Sequence, residues 1–454
     1  MKSDEQTDFL ASSLPEAISN SLSGMNNLIV RSSLMAARLE NPPDPKRVAV
    51  EADVDAFLTG SLLRAGDRFR LTCQLIEAPS GSVFWSESAD SSMQDLFVLQ
   101  DELCEHMLQS LKLPLDEREL RTSRRDVPAT ARAYECYLRA NQIVVTRTPN
   151  NMALARDLYL QCLEESPDYA PAWARLGRVY HFLDKFDEDA GENLKHAEKA
   201  FRRAFHLNPD LPIAHNFYTS VECDQGRAQN AMLRLLERAR SRRNDPELFA
   251  GLVQACRYCD ELEASIAAHH RGRHLDPHLM TSAAHTYFLL GDYGSTIDWY
   301  GKKVGYYLDC AALAAQGDTQ TALALLRERT QSKGGVSAIQ RIMLSLRAYL
   351  EGDWEECLNS IETGEAIILK DPETSFYTAR HLAAINQTDR AISALSNAID
   401  KGYLCATAIS RDPWFASLQH SPRFAELMRK AELRRSESHA AFLAAGGEQV
   451  ISVI

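Results

Sequence analysis

Cysteine and histidine side chains come together in the middle of the chain at a spacing that can bind zinc. Cys256 and Cys259 lie one helical turn apart, and His269 and His270 follow on the next predicted helix. Two thiolates and two imidazoles are a ligand set that Zn²⁺ accepts. Cys256 and His269 also face the interior of a predicted helical pair, where a thiol packs as a small apolar group. The structural interpretation is therefore favoured, with a zinc site on these four side chains as the alternative.

Arginines are the second candidate for chemistry. Five of them lie at the end of one predicted helix: Arg234, Arg238, Arg240, Arg242 and Arg243. Cations are favourable at the C-terminal end of a helix because of its dipole. We expect this group to form a solvated face, with an acidic partner or the acidic first segment of the chain as alternative contacts.

Motifs for catalysis are missing from the sequence. It contains no phosphate-binding loop, nucleophile elbow or metalloprotease signature. The Gly66–Arg70 segment, GDRFR, is predicted as a hairpin turn and not as a phosphate cradle. We therefore predict a protein that is not an enzyme and needs no cofactor.

Composition indicates a soluble protein. The 454 residues are 45% hydrophobic and 25% charged, which is typical of globular chains. No apolar run reaches the roughly 18 residues that a membrane helix needs. The first residues, MKSDEQTD, do not resemble a signal peptide, and the 10 cysteines are scattered as in a reducing compartment. The sequence predicts a cytoplasmic protein without a membrane segment.

Charge divides the chain into two parts. The net charge is −12, and residues 1–120 hold 20 acidic against 10 basic side chains, which gives −10. The remaining 334 residues hold 42 against 40, which gives −2. This asymmetry predicts two domains, and neither part has the broad basic field of a nucleic-acid-binding surface.

The candidate side chains are predicted to lie on helices that are arranged in pairs. The spacing that indicates them is clearest in residues 170–209. The first helix of this unit carries Trp173, Leu176, Gly177 and Tyr180, and the second carries Ala197, Phe201 and Ala204 and ends at Pro209. Large and small apolar residues three or four apart share one helix face. The pattern resembles the tetratricopeptide (TPR) repeat, a helix–turn–helix unit of about 34 residues.

A single unit of this kind cannot bury its apolar face, so neighbouring units are predicted. Related spacing recurs before and after the first unit, and we expect about eight helical pairs over residues 131–409. A capping helix over 410–434 and a loose tail over 435–454 follow. Residues 115–130, which are polar and arginine-rich, are predicted to form a linker after a first domain of residues 1–114.

The first domain is predicted to contain three antiparallel strands between helices. Its run TGSLLRAGDRFRLTCQLIEAPSGSVFWSES resembles the TolB-like (FlgO-like) domain of bacterial regulatory proteins. The matching positions include Gly60, Arg64, Gly66, Arg68, Arg70, Gln74, Leu75, Gly81, Trp85, Phe97, Gln100 and Asp101. This resemblance implies an α+β domain placed ahead of a TPR array, as in proteins that carry a Ser/Thr kinase, a nucleotide cyclase or a winged helix.

Two departures from that family stand out. Ala89 stands where the family tends to have an aromatic residue, and Met1 leaves no room for the family's apolar first strand. A missing strand leaves unpaired backbone groups at a sheet edge. We expect another segment, a second copy of the chain or a domain upstream of Met1 to complete the sheet.

The predicted fold is a small α+β domain followed by an all-α solenoid. We expect a non-catalytic scaffold that binds a protein or peptide on the concave face of the solenoid, with these contact residues: Trp173, Arg175, Arg178, His215 and Asn216. The alternative is the regulatory half of a bacterial kinase, adenylate cyclase or transcription regulator whose effector domain lies outside this chain.

Overall fold

This computed structural model describes most of the chain. The described residues are 28–31, 43–65, 68–92, 96–111, 126, 128–144, 148–185, 191–277, 279–300, 307–331, 338–365 and 370–452, with positions 14, 15, 18, 19 and 22. Residues 186–190, between the two helices of the 170–209 unit, and most of the predicted linker lie outside these ranges.

A small sheet with flanking helices precedes the helical region. Its elements are α1 (Pro45–Ala52), β1 (Ala56–Ala65), β2 (Arg68–Glu77), β3 (Val83–Ser92) and α2 (Leu96–Ser110). The strands are antiparallel in the order β1-β2-β3. The predicted three-stranded meander is thus confirmed.

Alternating side chains give the sheet one buried and one solvated face. Leu71, Cys73 and Leu75 are buried on the inner face, in one apolar cluster with α2. On the outer face, Thr72 and Ser88 are joined by a 3.0 Å hydrogen bond between their hydroxyls. A one-residue slip of register would therefore expose the core face.

Eight helical pairs follow in the described part of the chain. The first four are α3 (Ala131–Ile143) with α4 (Pro149–Glu165), α5 (Ala170–Asp184) with α6 (Glu192–Leu207), α7 (Pro212–Asp224) with α8 (Ala228–Ser241), and α9 (Pro246–Tyr258) with α10 (Leu262–Leu275). The last four are α11 (Ala283–Leu290) with α12 (Tyr293–Tyr300), α13 (Leu308–Ala315) with α14 (Thr319–Arg329), α15 (Ala338–Glu351) with α16 (Trp354–Glu362), and α17 (Pro372–Ala384) with α18 (Thr388–Asp400). The predicted repeat array of paired helices is confirmed.

Small and large residues fit together within a pair. A Cβ atom added to Gly177 in α5 would lie 2.8 Å from the ring of Phe201 in α6. Leu176, Ala197 and Ala204 are likewise buried in the same pair. Residues of this spacing therefore allow two helix backbones to approach closely.

The array closes on itself, because the eighth pair returns to the third. Gly226, in the turn between α7 and α8, packs on Gly402, which follows α18. A Cβ added to Gly402 would lie 3.1 Å from the Cα atom and the carbonyl oxygen of Gly226. The next contact is a backbone hydrogen bond of 2.9 Å, in which Leu404 donates to the carbonyl of Tyr258 at the end of α9.

Three further elements seal this junction: α19 (Ala406–Arg411), a 3₁₀ turn (Pro413–Leu418) and α20 (Pro422–Ala444), which a short α21 (Gly447–Ile451) follows. Asp260 accepts hydrogen bonds from the backbone (3.0 Å) and hydroxyl (2.8 Å) of Thr407. Both α20 and α21 contact α8, and α21 also contacts α10. The segment after 434 is therefore a packed continuation of helix and not the loose tail expected, because Phe442 and Ile451 bury their side chains here.

We predict that Gly402→Ala destabilises the protein more than Gly352→Ala. Both glycines have nearly the same positive φ, 82° and 81°, so the backbone strain of about 1–2 kcal/mol is shared. At Gly352 nothing lies within 4 Å of an added Cβ, whereas at Gly402 the backbone of Gly226 blocks it. The excess should be about 1–3 kcal/mol in chemical denaturation. Equal losses would contradict close packing of the third and eighth pairs.

Asp260 gives the junction a pH dependence. Burial raises the pKa of its carboxyl to about 6, against the opposing hydrogen bonds from Thr407. The native state therefore holds a proton that the unfolded chain releases near pH 3.9, and stability is lost as pH rises from about 4 to 6. Asn at this position also tolerates the observed positive φ of 63°.

We predict that the free energy of unfolding of Asp260→Asn, compared with that of the natural protein, increases by about 2–3 kcal/mol when the pH rises from 4 to 7. Urea unfolding at the two pH values measures the difference, and the other titrating groups cancel because both proteins contain them. A difference that is constant with pH would contradict the burial of this carboxylate.

Candidate functional site

The first helices of consecutive pairs lie side by side and carry the side chains with potential for binding. Arg175 in α5 donates from Nε to the hydroxyl of Tyr137 in α3 at 3.0 Å. The guanidinium of Arg178, also in α5, lies 4.1 Å from the ring centroid of Phe217 in α7. Ser220 in α7 donates to Gln254 in α9 at 2.8 Å. We call these residues the inner strip: Arg175, Arg178, Phe217, Ser220 and Gln254.

The inner strip keeps contact with solvent along its length. Arg178 is exposed, and the other four side chains are partly exposed. The strip presents guanidinium groups, an aromatic face and amide and hydroxyl groups across neighbouring helices. These groups can bind a carboxylate, a peptide carbonyl or an apolar side chain.

Trp173, a predicted contact residue, is partly buried beside the strip. Its indole nitrogen donates to the carbonyl of Pro167 at 2.8 Å, which fixes the ring against the turn between α4 and α5. The structure therefore uses this side chain to join two pairs.

His215 and Asn216, two more predicted contact residues, have internal partners. His215 lies between the carbonyl of Pro209 (2.8 Å) and the guanidinium of Arg234 (2.7 Å). Burial and the nearby charge of Arg238 lower its pKa to about 3, so the ring is neutral near pH 7. Asn216 donates to the carboxylate of Glu247 in α9. Of the five predicted contact residues, Arg175 and Arg178 therefore belong to the strip.

The arginines of α8 are largely used inside the fold. Arg234 donates to the hydroxyl of Thr219 at 3.0 Å and forms an ion pair with Glu222. Arg238 and Arg242 both pair with Asp210, at 3.3 and 3.7 Å. Arg240 pairs with Glu237 at 3.0 Å, and Arg243 is exposed. The acidic groups near this end belong to the third pair and the turn before it, which corrects the expectation of a mainly solvated face.

Cys256 and Cys259 are buried, and burial raises the pKa of both thiols, that of Cys259 to about 12. His269 shares a 2.9 Å hydrogen bond with the hydroxyl of Thr281, while His270 is exposed. Across the described residues, no group of three or more cysteine, histidine or acidic side chains is arranged to hold a metal ion. In the described structure, Cys256 and Cys259 pack as buried core side chains.

We call the face of the array formed by its first helices the inner face. Beyond the strip, α9 and α17 fill this face with their own side chains. In α17, residues 375–383 are all buried, and so are residues 248–258 of α9 except Gln254. Glu373 of α17 accepts two hydrogen bonds from the guanidinium of Arg257 in α9, at 2.9 and 3.1 Å. It also contacts His285 at 3.0 Å and the hydroxyl of Tyr403 at 3.2 Å. Burial opposes the charge on Glu373, but Arg257 and His285 outweigh it and lower its pKa.

A second ionic group lies where this filled part meets the second and third pairs. Lys185 contacts Asp224 and Asp371, each at 2.8 Å, and His181 contacts Asp224 at 2.7 Å. Burial would raise the pKa of Asp224, but Lys185 and His181 lower it to about 2. Carboxylates from two distant pairs therefore share one ammonium group.

Sequence reasoning missed these ionic groups. Arg257 and Glu373 are 116 residues apart, and pairing across such a separation has no local signal. The available hint was a charged residue within a helix that is otherwise apolar, as at Arg257 in LFAGLVQACRY. If such a helix is buried, its charged side chain needs a partner of opposite charge, because burying an unpaired charge is costly.

Comparison with known proteins finds a distant relative. No family model matches the chain. Over 221 residues it is 29% identical to a protein of Rhizobium meliloti (strain 1021) named "Putative adenylate cyclase 3". The similar region covers 47% of this chain and 37% of that protein, so the chain spans little more than a third of its relative. Among the described residues, no helix has the length and apolar character to cross a membrane.

We predict that Glu373→Ala lowers the free energy of unfolding by about 3–5 kcal/mol, because it leaves Arg257 charged and buried without a partner. The control is Asp389→Ala, which breaks the exposed Asp389–Arg423 pair and should cost less than about 1 kcal/mol. Chemical denaturation of both variants measures the difference. A similar small loss in both would mean that the α9–α17 contact does not hold the array closed.

Proposed function

We propose that this chain is a non-catalytic regulatory protein that binds a protein or peptide segment along the inner strip. The observation that carries the proposal is the contrast within the inner face. On α9 and α17 the chain fills this face with its own side chains except at Gln254, whereas Arg178 and its neighbours in the strip keep contact with solvent. A partner segment therefore has access at one end of the array.

The shape of the inner strip favours an extended or helical protein segment over a small molecule. Its side chains come from three successive first helices, α5, α7 and α9, so a ligand must cross several helices to contact them all. Paired-helix arrays use neighbouring helices in this way to bind peptides. The guanidinium groups of Arg175 and Arg178 favour a segment that carries a carboxylate.

The finer assignment of the two parts belongs to the same proposal. The sheet and its helices resemble a TolB-like domain, and the paired helices resemble TPR units, as the sequence motifs indicate. In this assignment the sheet domain helps to position a partner, and the array binds it. The alternative completion of the sheet by a second copy or an upstream domain remains part of the proposal.

A second candidate is the regulatory half of a signalling enzyme, in particular an adenylate cyclase. Similarity to a protein named as such, over about half of the chain, supports it. The catalytic domain would then lie upstream of Met1 or on another chain. Translation of the genomic region upstream tests this: an in-frame cyclase, kinase or winged-helix domain favours it, and a nearby in-frame stop codon favours an independent binding protein.

We predict site-specific capture of a partner by the inner strip. A photo-crosslinking amino acid at position 178 should give a defined crosslinked species in cells that naturally make the chain, and Arg178→Glu should abolish the same species when the crosslinker is at position 217. The control is position 202, which is exposed on α6. Equal crosslinking at 178 and 202, or none at 178 and 217, would contradict binding at the strip.

We also expect the purified chain to form no cyclic AMP from ATP with Mg²⁺ or Mn²⁺. The physical reason is that the sequence offers no recognisable phosphate-binding or catalytic motif. Product formation that follows the chain through purification would overturn the non-catalytic assignment while leaving the crosslinking result intact.

A further inference from the structure

Arg31 joins the segment ahead of the sheet to the fourth helical pair. Its guanidinium donates to the backbone carbonyl of Asp53 at 2.9 Å and to the Asp53 carboxylate at 2.7 Å. From its other side, the same group donates to the carbonyl of His274 at 2.8 Å and to that of Leu275. One side chain thus connects two parts of the chain that are more than 240 residues apart.

The acceptors explain why an arginine is suited to this position. His274 and Leu275 are at the C-terminal end of α10, where the last carbonyls have no partner inside the helix. Partial negative charge gathers at this end, so a cation is favourable. Arginine has five donors in a planar fork and can serve two sets of acceptors at once, whereas lysine has a single ammonium.

Other contacts from the N-terminal third run along the same edge of the array. The backbone amide of Ala129 donates to Ser166, which follows α4, at 2.6 Å. Asp126 accepts from Asn208, which follows α6, at 2.7 Å. The ends of the second helices of pairs 1, 2 and 4 therefore all contact the region between residues 31 and 129.

The two ends of this edge differ in the kind of contact that the described residues make. At pair 1, buried residues of the sheet, α2, α3 and α4 form one apolar cluster. At pair 4, Arg31 donates hydrogen bonds to two carbonyls at the end of α10. Separating the apolar cluster would expose a wide buried area to water, which costs free energy. The hydrogen bonds of one guanidinium are lost when that side chain moves out of reach of its acceptors.

We propose that Arg31 is a docking lock, which fixes the sheet domain to the end of α10 and whose release lets that domain pivot about the first pair. Asp53 sets the lock, because it holds the guanidinium on the sheet side. A partner or signal that moves Asp53 would withdraw Arg31 from α10. A change in the sheet domain would thereby reach the array without unfolding either part.

Hydrogen exchange of the full chain tests the proposal. The variant is Arg31→Ala, and the control is Arg47→Ala, which removes an arginine that pairs within α1 with Glu51. In Arg31→Ala we expect exchange in peptides covering residues 270–277 to rise about tenfold, the value for loss of a charged hydrogen bond worth roughly 1.4 kcal/mol. Exchange in β1–β3 should stay at the natural level, and small-angle scattering should show a larger radius of gyration.

The exchange results for the variants either support or overturn the lock. Unchanged exchange at 270–277 in Arg31→Ala, or an equal rise in Arg47→Ala, overturns the lock. If Arg31→Ala also unfolds the sheet, Arg31→Lys is used, since lysine can still pair with Asp53 but cannot reach both acceptor sets. Faster exchange at 270–277 with protected strands in Arg31→Lys supports the lock, and natural exchange there overturns it.

Discussion

The return of the eighth helical pair to the third and fourth pairs is the constraint on which the rest of this structure depends. It is built from backbone contacts, where Gly226 meets Gly402 and the amide of Leu404 reaches Tyr258. An open solenoid needs caps on two exposed ends. Here α19–α21 instead join the end of the array to its middle, so the closing helices stabilise both the last pair and the pairs they cover.

Closure also decides which side chains remain for binding. Once α17 lies against α9, the charged groups of both helices must be paired, and Arg257 with Glu373 meets that demand. Lys185 likewise pairs with the carboxylates of Asp224 and Asp371, where the filled part meets the second and third pairs. The inner face is therefore divided into a filled part, which holds the fold, and the inner strip, which stays accessible. The proposed function rests on this division.

Local patterns predicted the elements well, because each is set by neighbours in sequence. Strand alternation identified β1–β3, and the fit of Gly177 with Phe201 identified a helical pair. The return of the eighth pair to the third and fourth pairs could not be predicted. The sequence around Gly402 indicates only a helix end, and that around Asp260 indicates only an ordinary turn. The role of His215 was missed for the same reason: a histidine on a first helix has no local sign that Arg234 and Pro209 will enclose it.

The amide of Leu404 gives the most direct test of closure. In the closed array it is hydrogen-bonded to Tyr258, from another pair, at 2.9 Å, and its residue is buried. Residue-resolved hydrogen exchange should therefore find it protected to a degree similar to the amides of α9. Exchange at the rate of an exposed loop would show that the eighth pair does not return to the fourth, and the division of the inner face would fall with it.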